Sequence, residues 1–106
     1  MRSSSRSIET ARLCGRVNRL LLEIFCACDD PLLQELEVLD VVAAPSASRL
    51  AVTVGYVPRP PELLSPDAML ARLNRARGWV RSELASLLDR RRVPELRFVA
   101  VPQHED

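Results

Sequence analysis

Two hydrophobic periods alternate along this chain and leave it few folds. Cys14, Val17, Leu21, Ile24 and Cys28 recur at steps of three and four, the repeat of one helix face. Between Leu50 and Tyr56 the step falls to two. Leu50, Val52, Val54 and Tyr56 share one side of an extended segment, and Ala51, Thr53 and Gly55 share the other. Val80, Leu84, Leu87 and Leu88 then return to helical spacing. A one-sided strand and striped helices must bury their apolar surfaces against one another. The pattern predicts an α+β domain, and 106 residues suffice for only one.

Breakers divide the chain. Residues 1 to 7 read as a short flexible arm, and a first helix is predicted from about Ser7 to Cys28. Asp29-Asp30-Pro31 ends it, because proline disfavours helical geometry in the residue before it. A Val- and Leu-rich strand over 36–44 and the alternating strand over 49–57 flank the turn-prone Ala44-Pro45-Ser46-Ala47-Ser48, which predicts an antiparallel hairpin. Pro58, Pro60 and Pro61 form a stiff link that cannot continue a sheet. Ser65 is placed to cap a helix whose first position is Pro66. That helix reaches Ala76-Arg77-Gly78, where a bend is expected, and a third helix follows with Arg90, Arg91 and Arg92 in its last turn. Pro94 ends it, and Leu96, Phe98 and Val101 predict a third strand. The expected order is α-β-β-α-(bend)-α-β across 8–101, with an acidic tail over 102–106.

The net charge of +1 conceals a segregation. Residues 1–28 balance to +3, residues 29–71 to −5, and residues 72–97 to +5, with Glu105 and Asp106 adding −2. A basic face beside an acidic one still attracts polyanions. The candidate nucleic-acid contacts are Arg12, Arg16 and Arg19 along one helix face, Arg72, Arg75, Arg77 and Arg81 around the bend, and Arg90 to Arg92. Ala76 and Gly78 are the expected bend residues, and at Gly78 the missing side chain also lets a phosphate backbone come close. An arginine-rich helix face is ordinarily just a solvated one, so charge alone does not decide the matter. Trp79 reads as a partly buried aromatic beside Val80, with base stacking as the other reading.

Catalysis finds no residues to carry it. There is no Gly-rich phosphate loop, no zinc-binding pair of histidines and no nucleophile placed by a base. Cys14, Cys26 and Cys28 read as reduced packing residues, and the lone His104 gives them no partner for a metal site. No cofactor, metal or small-molecule substrate is expected. Apolar runs such as Leu20 to Leu22 fall well short of the roughly 20 residues of a membrane span. The opening MRSSSRS lacks the apolar core of a signal peptide. A cytoplasmic, monomeric protein is expected, either binding RNA or serving as a non-catalytic adaptor that docks a protein through its acidic middle.

The stretch from Ala76 to Phe98, ARGWVRSELASLLDRRRVPELRF, resembles the C-terminal signature of the ribosome-binding factor A family. The residues that carry the resemblance are Ala76-Arg77-Gly78, Trp79, Arg81-Ser82, Leu84, Leu88, Arg90 to Arg92, Val93-Pro94-Glu95-Leu96 and Phe98. A looser likeness runs upstream through Arg12-Leu13 and Asp30-Pro31, so that most of residues 12 to 99 is covered. It departs at Leu32, where the family usually has arginine. The resemblance implies a type II KH-like domain, a three-stranded mixed sheet with helices on one face. In it an Ala-x-Gly bend replaces the Gly-x-x-G loop. It further implies a ribosome assembly factor that binds the immature small (30S) subunit and its 16S rRNA and assists late 16S maturation and processing. The alternative remains a KH-like adaptor without RNA contact.

Overall fold

The computed structural model describes residues 2–61, 63–89 and 92–104, with side chains from residue 8 onward. Arg2 to Ser7 hold neither glycine nor proline to stop a helix. Accordingly α1 runs over Arg2–Ala27 and takes in most of the stretch expected as an arm. Asp30 then caps a single turn that the sequence reading did not anticipate, α2 (Pro31–Gln34), by accepting a 3.0 Å hydrogen bond from the Leu32 N–H. Proline at its first position gives up no hydrogen bond, since that N–H would be unpaired anyway. The chain continues as β1 (Glu37–Ala43), β2 (Arg49–Tyr56), α3 (Pro66–Leu88) and β3 (Glu95–Pro102).

β2 is the central strand. It pairs antiparallel with β1, as the predicted hairpin requires, and parallel with β3, giving a mixed sheet in the order β1-β2-β3. The register shifts between Val38 and Asp40, so Leu39 is an extra residue. That bulge lets Val38 and Val41, three apart, both turn toward the core.

α1 and α3 cover one face of the sheet and leave the other open. Leu50, Val52 and Val54 of β2 and Leu96 and Phe98 of β3 are buried with Val17, Leu21 and Phe25 of α1 and Leu73, Val80 and Leu84 of α3 in one cluster. Phe25 and Phe98 meet with ring centroids 6.3 Å apart. Each such side chain contributes about 1.5–3 kcal/mol by leaving water, so these two periodic patterns supply most of the driving force. No charged or polar side chain of the described residues is buried with them. Leu39, Val42, Val99 and Val101 stay exposed, the last two on the outward positions of β3.

Three further expectations need correction. The helices predicted on either side of Ala76-Arg77-Gly78 are one helix, α3, and Gly78 does not take a positive φ. A lone glycine costs a helix only about 1 kcal/mol relative to alanine, which the stripe of Met69, Leu73, Val80, Leu84 and Leu88 outweighs. Secondly, α3 stops before the arginine run. Asp89 turns left-handed (φ 52°, ψ 46°), a conformation aspartate tolerates better than most residues. Arg92 therefore lies beyond the helix, and Arg90 and Arg91 fall outside the described residues. Thirdly, the expected tail begins inside β3, which ends at Pro102, and the Gln103 N–H still bonds the Tyr56 carbonyl at 2.7 Å. Glu105 and Asp106 are outside the described residues.

Candidate nucleic-acid surface

Two polar contacts fix how α1 lies against α3. Arg16, near the middle of α1, donates from Nη2 to the Leu87 carbonyl at the end of α3, at 3.2 Å. Asp30, just past α1, meets Arg72 near the start of α3, with Nη1 2.7 Å from Oδ2. The helices are therefore antiparallel. The basic segments 1–28 and 72–97 pack together, and Arg16 supplies the positive charge that the last turn of α3 lacks among its own residues.

The candidate arginines do not all keep their charge for a ligand. Arg72 is taken up by Asp30, and both side chains are about two-thirds covered or more, with 31% and 25% exposed. Burial pushes the Asp30 carboxyl up. The Arg72 guanidinium and the Leu32 and Leu33 N–H groups outweigh that and hold it below its ordinary value. Arg81 is half-buried and donates from Nε to the Pro94 carbonyl (3.4 Å) and from Nη2 to the Val93 carbonyl (3.3 Å), bracing the approach to β3. Arg12, Arg16 and Arg19 line a shallow surface with Ile8, Ala11 and Gly15, as their helical spacing requires.

Arg75 and Arg77 are exposed and, among the described residues, unpaired. Residues two apart on a helix differ by roughly 200° in direction, so Arg75 and Arg77 point to opposite flanks of α3. Arg72, Arg75 and Trp79 share a shallow groove with Asp29 and Asp30. Arg81 lines another with Arg49 and Arg92. The four arginines expected around a bend are thus divided between two sides of a continuous helix. Trp79 is 41% exposed and available on the first of these flanks.

Gly78 is exposed, and a Cβ built there meets no atom within 4 Å. Packing does not require glycine at this position. Ala76, by contrast, is partly buried against the core. Arg49 was missed by the sequence reading, because only the parallel register, which sets Arg49 opposite Glu95, carries it to Arg81 and Arg92. Cys14 and Cys28 are buried and Cys26 is exposed, all as free thiols. Burial pushes the Cys14 thiol up, partly offset by the Ala43 N–H. No group of three or more potential metal ligands lies together among the described residues, and no described helix is long and apolar enough to cross a membrane.

No protein-family model matches the chain. It is 37% identical over 90 residues to ribosome-binding factor A of Solibacter usitatus (strain Ellin6076), a match covering 84% of this chain and 71% of that one. Among solved structures, the crystal structure of ribosome-binding factor A from Thermus thermophilus superposes with a TM-score of 0.71 at 30% identity, covering 86% of this chain and 93% of that one. A homology model of Thermus thermophilus ribosome binding factor A, fitted into the cryo-EM map of a 30S complex with that factor, superposes with a TM-score of 0.60 at 30% identity, covering 83% and 88%. The solution structure of a Thermotoga maritima protein described as a putative ribosome binding factor A gives a TM-score of 0.68 at 26% identity, covering 91% and 90%.

Proposed function

The chain belongs to the ribosome-binding factor A family, and from that premise we propose that it binds the immature small (30S) ribosomal subunit through its 16S rRNA. It acts there as a cytoplasmic, monomeric factor in late 16S maturation. The observation that carries this reading is the antiparallel packing of α1 on α3, which brings two arginine-rich segments, far apart in the chain, onto one body. The exposed members Arg12, Arg19, Arg75, Arg77 and Arg92 are the phosphate contacts. Arg72 and Arg81 mainly hold α2, α3 and β3 in place. Gly78, a glycine that packing does not require, is where an RNA backbone comes closest to α3.

No bond is made or broken in this role. The protein favours one rRNA arrangement by binding it more tightly than another, and it leaves when maturation removes the contacts. The test is sedimentation. Tagged protein should travel with free small subunits and be scarce on assembled ribosomes, and a deletion strain should accumulate unprocessed 16S rRNA. An unchanged ribosome profile with normal rRNA ends would sink the proposal. One observation favours the adaptor reading, namely the open sheet face with exposed Leu39, Val42, Val99 and Val101. It expects Val99→Ser, rather than arginine substitutions, to abolish partner binding.

A further inference from the structure

We propose that Arg49 and Arg92, set beside the anchored Arg81, form a separate phosphodiester-binding subsite at the strand end of the domain. This extends the RNA-facing surface beyond the helices and rests on the small-subunit reading above. The site is a groove of about 550 Å³ lined by Ala47, Ser48, Arg49, Arg81, Arg92 and the Val93-Pro94-Glu95 segment. Three arginines and one carboxylate are among its lining residues, a surplus of positive charge that favours an anion.

Each arginine has a distinct standing. Arg81 is held by two backbone carbonyls through Nε and Nη2, leaving Nη1 without a hydrogen bond among the described residues. Its guanidinium is fixed in advance, so little side-chain freedom is lost when an anion docks. Arg92 is exposed and has no ion-pair partner among the described residues. Arg49 touches Glu95 at 3.4 Å, but the two side chains are 67% and 66% exposed. Such a pair is worth little, and a phosphate competes with it readily. The hydrogen bond from Arg16 to the Leu87 carbonyl brings the arginines of α1 to the same end of α3. One RNA strand can then lie across both surfaces. A guanidinium fork suits the paired oxygens of a phosphodiester.

The experiment measures binding of the full chain to purified free small subunits at several salt concentrations. Arg49→Gln and Arg92→Gln should each flatten the slope of log affinity against log salt by about one unit, and the double variant by about two. Arg97→Gln, which removes an exposed arginine outside the groove, should leave the slope alone. Glu95→Gln should tighten binding by releasing Arg49. Circular dichroism melts confirm that each variant folds. A double variant with the wild-type slope, an Arg97→Gln effect as large as the double variant's, or weakening by Glu95→Gln would each overturn the subsite while leaving the family role standing. Failure of the wild-type protein to bind free subunits would overturn that role, and the subsite with it.

Discussion

Gly78→Ala separates what α3 needs from what its ligand needs. Gly78 lies in the middle of a 23-residue helix, has no positive φ, is exposed, and leaves open space where a Cβ would stand. An added methyl therefore meets nothing, while the unfolded chain loses conformational freedom. The expected gain is about 0.5–1 kcal/mol, or roughly 2–8 °C in Tm for a domain of this size. Urea and thermal melts followed at a helix-sensitive wavelength measure it. The same change at Gly55 should bring no such gain, because its Cβ would stand 2.6 Å from the Gln103 Oε1 and 3.1 Å from the Leu39 Cδ1. If an RNA backbone approaches Gly78, the stabilised variant should also bind small subunits more weakly. Stability and binding would then move in opposite directions. A Gly78→Ala protein that melts below the parent would refute the continuous helix, and one that gains stability at unchanged affinity would remove Gly78 from the RNA surface.

Other perturbations test the remaining links. Asp30→Asn keeps a cap for α2 but breaks the pair with Arg72, and should cost about 1 kcal/mol near neutral pH. The folded-state pKa of Asp30 lies below its unfolded value, so the pair's contribution is complete above about pH 4 and fades as the pH falls through the folded value. The deficit of Asp30→Asn in urea melts should accordingly shrink in acid, and a constant deficit would disprove the charge pair as its source. Leu84→Ala, at a fully buried position, should cost about 2–5 kcal/mol by urea titration. In the native protein a thiol reagent should modify Cys26 rapidly and Cys14 and Cys28 only after denaturation, and equal rates would contradict the packing of α1.

Much of the architecture is legible because burial and period coincide. The stripe Cys14-Val17-Leu21-Ile24-Cys28 and the alternation Leu50-Val52-Val54-Tyr56 are both buried as read. The boundaries of the hairpin strands follow within a residue or so. Less was visible where local signals were balanced by distant ones. Gly78 suggests a bend, but the buried neighbours Leu73, Val80 and Leu84 carry the helix through it. The extra residue Leu39 leaves no mark in a Val- and Leu-rich run. The surface was read too evenly, since an arginine's surroundings depend on which carbonyls and carboxylates the fold brings to it. Arg72, Arg81 and Arg16 each meet a partner at least a dozen residues away in sequence. Arg49 became a candidate only through the parallel register with Glu95.

That parallel register also orders events during synthesis. β2 needs β3 along one of its edges, and β3 follows every other described element in chain order. Until Glu95 to Pro102 have emerged, the hairpin has an unpaired strand edge and α3 has no second strand to cover. Parallel pairing across such a long connection forms late, after the local elements. The arginine surface is completed on the same schedule, since Arg16 waits for the Leu87 carbonyl and Arg49 for Arg81 and Arg92. A chain still being translated thus has charge but no finished surface until β3 is free to dock.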